Sequence, residues 1–238
     1  MHKSMLTIGL LSATLLPAGA FAANGTWTGN VEFGYVKTGG NTDTSNLNLK
    51  AKAETSWEKW RNAVNFEAAS STTDSVTTAE RYLLSDQASR QYTEHSYSFV
   101  FLGYENDRFS GYDYRLSGIA GYGYRVYSEP DLTMDLEVGP GLRRSKLDTG
   151  STDNEFIGRG AFKLKWLISK TSTFSEDINS DVGDNSVVTR SVTALQSKIN
   201  GSLSSKITYT VAHNSDVPDP SIKKTDTELA VTLVYTFE

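Results

Sequence analysis

The chain has 238 residues and a formal net charge of −5, from 23 Lys and Arg against 28 Asp and Glu. An acidic balance argues against nucleic acid as a partner, because a phosphate backbone is held by Lys and Arg. The sequence has no cysteine, which removes disulfides, thiolate metal sites and a cysteine nucleophile together.

The first segment, MHKSMLTIGLLSATLLPAGAFA, opens with a positive charge at Lys3. An apolar run follows through Leu6, Ile8, Leu10, Leu11, Leu15 and Leu16, closing on Ala20-Phe21-Ala22. This pattern predicts a signal peptide over 1–22, cleaved after Ala22, with residues 23–238 as one mature domain. The run is shorter than the roughly 20 residues a bilayer-spanning helix needs. Loss of Lys3 leaves 22 basic against 28 acidic residues, a net charge of −6.

From Thr26 onward the hydrophobic period is two. Trp27, Val31, Phe33 and Tyr35 alternate with Thr28, Asn30 and Glu32, and the end of the chain alternates Leu229, Val231, Leu233, Tyr235 and Phe237 with polar residues. Such alternation predicts strands with one apolar and one polar face. About twelve such runs are expected, starting near Thr26, Thr44, Arg61, Ala79, Ser96, Tyr112, Asp131, Asn154, Thr171, Val187, Ser202 and Thr225. The ninth run is the weakest, with only Phe174 and Ile178 as apolar anchors. The odd connections, such as KTGGNTD, STTDSVTT and NSDVPDPSIKK, are polar and long, whereas the even ones, such as EKW, SKT and NGS, are tight. Tight turns on one side and longer loops on the other predict an all-β, transmembrane up-and-down antiparallel barrel of the outer membrane, with both termini periplasmic.

A soluble barrel would put the apolar face inward, as lipocalins do. Three features favour lipid outside instead. Long side chains of both signs recur on the polar face, so Glu32, Lys50, Lys52, Glu54, Asp135, Glu137, Arg143, Arg159, Lys163 and Lys165 are the candidate lumen-lining residues. Aromatics gather toward strand ends. Trp27, Trp57, Trp60, Tyr92, Tyr97, Tyr124, Tyr127, Trp166 and Phe237 are expected near the tight turns, and Tyr35, Tyr82, Phe109, Tyr112 and Phe156 near the loops, as two interfacial girdles. The apolar face also runs about nine to eleven residues per strand, the length of a tilted strand crossing hydrocarbon.

On the residues Gly29, Gly34, Tyr35, Gly40, Asn41, Thr42 and Thr44, with the later blocks GIAGYGYRVY and VGPGLR, the chain resembles a family of salt-induced outer membrane proteins. That family is a domain of unknown function in Gram-negative bacteria. The resemblance implies an outer-membrane location and an association with salt or acid stress, and it supplies no catalytic mechanism. The motif turn itself, Gly39, Gly40, Asn41, Thr42, Asp43 and Thr44, reads as the first outward hairpin connection, with Asp43 and Thr44 bonding nearby backbone. The last strand also resembles the C-terminal signal of the outer-membrane insertion machinery, with Phe237 in the aromatic position and Glu238 after it. The expected partners are therefore outer-membrane lipid, lipopolysaccharide and that machinery.

No catalytic constellation, metal site or cofactor is expected. His213 and Ser215 in the stretch HNS are the one arrangement reminiscent of an outer-membrane lipid hydrolase, and a dipeptide cannot display the geometry of a triad. Asp135 and Glu137 point the same way and are expected to pair with Arg143 or Arg159. The leading activity is passive passage of ions or small solutes, with Lys50, Lys52, Arg159, Lys163 and Lys165 as a basic wall facing Glu32, Glu54, Asp135 and Glu137. The alternative is a structural or adhesive envelope protein with a filled lumen.

Overall fold

The computed structural model describes residues 26–40 and 43–237. The expected signal peptide over 1–22, the turn residues Asn41 and Thr42, and Glu238 lie outside the described residues. The described residues form twelve strands: β1 (Thr26–Thr38), β2 (Thr44–Trp57), β3 (Trp60–Thr73), β4 (Val76–Gln91), β5 (Ser96–Asp107), β6 (Tyr112–Ser128), β7 (Leu132–Leu147), β8 (Thr152–Leu167), β9 (Ser172–Gly183), β10 (Val187–Lys198), β11 (Leu203–Asn214) and β12 (Thr225–Phe237). Each pairs with its chain neighbours, and β12 returns to β1, so the sheet is a closed antiparallel barrel. Closure leaves no unpaired strand edge in hydrocarbon, where water cannot satisfy backbone groups.

The closing seam is the shortest pairing. It runs over five residue pairs, from Gly29↔Phe237 to Phe33↔Leu233. By contrast, β1 pairs with β2 along its whole length, from Thr26↔Ser56 to Thr38↔Thr44. Two motif glycines make the seam fit. A Cβ at Gly29 would fall 2.5 Å from the Phe237 ring, and one at Gly34 would fall 2.7 Å from the Val231 carbonyl oxygen.

The strand starts fall within two residues of those expected, except that β4 begins at Val76 rather than Ala79. The polar stretch STTDSVTT, expected as a long loop, is a two-residue turn. Asp74 and Ser75 both take positive φ, 48° and 68°, the conformation of a tight hairpin turn whose twist matches its strands. Val76–Thr78 therefore belong to the strand. A register shift between Ser71 and Thr72 absorbs the mismatch.

The two faces sort as the alternation predicts. Phe33, Val138, Leu142, Phe156, Leu229 and Val231 all point outward and are exposed. Two of the expected girdle residues depart from this: Tyr112 lies opposite Asp107 and Leu147 with the Arg115 guanidinium 5.0 Å from its ring centroid, and Tyr97 is 3% exposed and faces the interior. There it joins Phe99, Ile119 and Ile157 in an apolar cluster inside the barrel, with Phe101 packed against it. The ring positions are set by glycines on the next strands. Tyr97 lies opposite Gly123 and Phe99 opposite Gly121, and a Cβ at Gly121 would fall 2.7 Å from Phe99 Cζ, while one at Gly123 would overlap the Tyr97 ring. The Gly/Tyr block GYGYR thus has a division of labour. Its tyrosines, Tyr122 and Tyr124, face outward, and its glycines form the floor on which the β5 aromatics lie.

Gly123→Val should push the Tyr97 ring off this floor and cost roughly 1–3 kcal/mol, as overpacking typically does. Urea unfolding of the barrel in lipid vesicles measures it, with Gly201→Val in the open β10–β11 turn as the control expected to change little.

Candidate functional site: an ion-paired lumen under a loop strap

The polar face of the strands lines the barrel interior, and its charges are interleaved rather than sorted onto facing walls. Lys52 pairs with Glu54 two residues along the same strand at 3.1 Å. Lys50 approaches Glu67 at 3.7 Å, and Lys206 Nζ donates to Glu32 at 2.7 Å. The expected partnership of Asp135 and Glu137 with Arg143 or Arg159 is replaced by register neighbours. Arg125, directly opposite Asp135, donates to both its carboxylate oxygens at 2.8 and 3.2 Å. Glu137 instead accepts from Lys163 Nζ, Gln87 Nε2 and the Tyr97 hydroxyl, each at 2.9 Å.

Arg143 and Arg159 take partners that the candidate set does not contain. Arg143 donates twice to Glu155, at 2.8 and 2.6 Å, and again to the Ser186 hydroxyl at 2.7 Å. Arg159 grips both oxygens of Asp181 and lies over the Phe101 ring, 4.2 Å from its centroid. Such two-pronged guanidinium–carboxylate bonds fix geometry as well as charge. Lys165, at the tight-turn end of β8, is exposed.

Among the described residues, two ion pairs join remote strands across the lumen. Arg190 on β10 reaches Glu67 on β3, with bonds of 3.3 and 2.8 Å, and Arg81 on β4 reaches Glu228 on β12 at 3.1 Å. These strands are far apart around the ring, so the bonds span the interior. The Arg190 and Glu67 side chains remain 22% and 23% exposed, so the crossing is wet rather than packed. Sequence reasoning misses Glu67, Arg190, Arg81, Glu228 and Glu155. All five sit on the polar face of their strands, and that alternation is the signal by which they could have been found.

Above the crossing, the β11–β12 loop folds over the loop-side mouth as a strap. Its base is tied by the Asn214 N–H to the Lys224 carbonyl at 2.8 Å and by Lys224 Nζ to the Ser215 carbonyl at 2.5 Å. Asp219 accepts from the Ser221 N–H at 2.8 Å, which holds its carboxyl below the usual range. The tip reaches the β5–β6 turn on the far wall. Gly111 sits at φ +79°, and a Cβ there would meet Ile222 Cδ1 at 2.8 Å and Pro218 Cγ at 3.2 Å. Cavities of about 280 and 530 Å³ lie beneath and beside the strap.

The motif turn is more than a local connection. The Asp43 carboxylate accepts from the Gly40 N–H at 3.3 Å, as the sequence suggests. The Asp43 N–H, however, donates to the Asp74 carboxylate, and the Asp74 N–H donates to the Asp43 carbonyl, each at 2.8 Å. The first outward turn is thereby stapled to the second, and Thr44 closes its own hairpin through the Thr38 hydroxyl at 2.5 Å. His213 and Ser215 are not brought together: His213 Nδ1 bonds the Thr225 hydroxyl at 2.9 Å, while Ser215 Oγ accepts from the Val187 N–H at 2.8 Å.

A closed twelve-strand barrel with an apolar outer belt and a charged, hydrogen-bonded lumen is a transmembrane β-barrel of the outer-membrane type. The chain belongs to the family described as protein of unknown function, DUF481, whose model matches residues 31–237. The resemblance read from the motif residues is borne out at that level. YdiY of Escherichia coli (strain K12) is 26% identical over 212 residues, covering 87% of this chain and 82% of that protein. Among solved structures, the NanC porin aligns with a TM-score of 0.54 at 13% identity, over 88% of this chain and 99% of its own. An outer membrane channel from Pseudomonas putida F1 also aligns with a TM-score of 0.54, at 9% identity, over 90% of this chain and 96% of its own. At these identities the likeness is one of fold.

Two predictions follow from the pairing and the strap. Glu155→Leu strands the Arg143 guanidinium, whose pair is 3% and 5% exposed, and should cost about 3–5 kcal/mol. Glu54→Leu, in the half-exposed pair with Lys52, should cost less than about 1 kcal/mol; urea unfolding in vesicles compares the two. Gly111→Val should unseat Pro218 and Ile222, so that trypsin cuts after Lys223 or Lys224 on intact cells or liposomes faster than in the parent protein.

Proposed function

We propose that the chain is a narrow passive channel for ions or small solutes in the bacterial outer membrane, with both termini periplasmic and no enzymatic step of its own. The observation that carries this reading is the form of the obstacle in the lumen. It is a pair of water-accessible side chains, Arg190 and Glu67, bordering a cavity of about 280 Å³, not a packed plug. Rotation of two long side chains opens a path that a filled core would not give. The fold likeness to the NanC porin and to the Pseudomonas channel supports the same reading.

With acids and bases interleaved along the walls, the lumen has no extended field of one sign, and weak charge selectivity follows. The outer belt meets outer-membrane lipid, with lipopolysaccharide at the loop side, and β12 ending at Phe237 carries the signal for the insertion machinery. The association with salt or acid stress implied by the family resemblance gives such a channel a setting in which solute flux is adjusted. The second reading, a structural envelope protein with a filled lumen, is favoured by the inward cluster of Tyr97, Phe99, Ile119 and Ile157, which fills one side of the barrel.

Planar-bilayer recording of folded protein separates the two. The channel reading expects a small unitary conductance in the parent protein and a severalfold larger one in the paired variant Arg190→Ala/Glu67→Ala. Background-level current from both proteins would reject it and favour the structural reading.

A further inference from the structure

The lipid-facing belt carries an ionisable residue on two walls, and on one of them it stands in a cluster of hydroxyls. Arg190 reaches into the lumen, so its chain neighbour Ser191 points outward, and Thr189 and Thr193 share that face. On β9 the same face carries Phe174, Glu176, Ile178 and Ser180. Glu176 lies opposite Thr193, and Ser180 opposite Thr189. The Glu176 carboxylate accepts from the Ser191 hydroxyl at 2.7 Å and the Thr193 hydroxyl at 2.6 Å, and the Ser180 and Thr189 hydroxyls bond one another at 2.8 Å. Glu176 stands one outward position inside Phe174, which pairs with the girdle residue Trp166. Alongside, Gly158 and Gly160 of β8 pair with Val182 and Ser180 and have open space beyond their Cα atoms.

This wall contrasts with its surroundings. Neighbouring outward faces are more apolar: Leu136, Val138 and Leu142 on β7, and Ile207 and Tyr209 on β11. On the opposite wall, the outward Asp86 takes a single bond from the Asn62 amide at 2.6 Å and pairs with Val64 and Leu102. An ionisable residue in a membrane segment is costly and normally faces protein or a water-filled cavity. Acyl chains offer no donor or acceptor, whereas small and hydroxyl-bearing residues let membrane segments approach closely and bond across the contact.

We propose that the outward face of β8–β10 is the contact surface for a second copy of this chain. Within one copy these groups bond one another, but each Glu176 oxygen keeps a second lone pair and the Ser180–Thr189 pair keeps one O–H, so the patch still offers both an acceptor and a donor to a facing copy. A two-fold contact needs such self-complementarity, because the same surface must supply both sides. The glycines of β8 supply the close approach. The contact is independent of whether the lumen conducts.

The absence of cysteine from the sequence makes single-cysteine reporters clean. Ser191→Cys and Ile178→Cys, which face each other across β9 and β10, are oxidised with copper phenanthroline in native outer membranes, with folding read from heat-modifiable mobility. Both should give a disulfide-linked species of twice the chain mass, severalfold more than Leu84→Cys on the opposite wall, which is 48% exposed. Folded Ser191→Cys and Ile178→Cys proteins that stay monomeric, or that cross-link no more than Leu84→Cys, would overturn the proposal. A cross-linked product of any other mass, showing a different protein on this wall, would overturn it equally.

Discussion

Everything in this molecule follows from closing a sheet inside a medium that cannot hydrogen-bond to it. An open edge in hydrocarbon leaves backbone groups without partners at several kcal/mol each, so β12 must return to β1. Closure is achieved with only five residue pairs, and the small residues Gly29 and Gly34 are what allow β1 and β12 to meet so closely. Once the ring is closed, the period of two assigns every side chain to lipid or to lumen. Apart from the outward Glu176 and Asp86, whose carboxylates take hydroxyl or amide partners on the same face, charge in the wall goes to the inner face, and the inner face is crowded.

That crowding explains the electrostatics. An isolated carboxylate or guanidinium in a narrow lumen loses much of its hydration, and a neighbour of opposite sign on the next strand restores part of it. Antiparallel register supplies such neighbours directly, as with Arg125 opposite Asp135, Arg143 opposite Glu155 and Arg159 opposite Asp181. Sorting all bases to one wall would forgo these local pairs. Where a wall lacks an adjacent partner, the longer side chains cross instead, as Arg190 does to Glu67. On the β5–β7 side the problem is solved without charge: glycines on β6 and β7 lower the floor, and the Tyr97 and Phe99 rings fill the volume.

The strands were legible because alternation is a direct image of a two-faced sheet, and even the weak β9 stands where Phe174 and Ile178 suggested. Its weakness was itself informative, since the missing apolar residues are the outward Glu176 and Ser180. Lumen charges were legible as members of a face, but their partners were not. Arg190 and Glu67 are 123 positions apart, and Arg81 and Glu228 are 147 apart, so nothing local encodes either bridge. Tyr97 was misread because an aromatic near a strand end looks the same whether it faces a headgroup or a glycine floor. The β3–β4 turn was misread because Thr, Asp and Ser are equally at home in a loop and in the outermost rungs of a ladder. The seat of the strap on Gly111 was invisible for the same reason as the bridges: it joins opposite walls.

The bridge and the strap also have a mechanical meaning. A closed sheet one strand thick is a hoop, stiff along its hydrogen bonds but easily squeezed into an ellipse, because ovalisation changes only the angles between adjacent strands. Arg190–Glu67 ties β10 to β3 across the interior, and the strap's contact with Gly111 joins the β11–β12 end to the β5–β6 turn on the other side. These are two spokes in different directions, an electrostatic one inside the lumen and an apolar one at the loop-side rim. Lateral pressure from the surrounding membrane that flattens the barrel along one diameter must stretch or compress at least one of them.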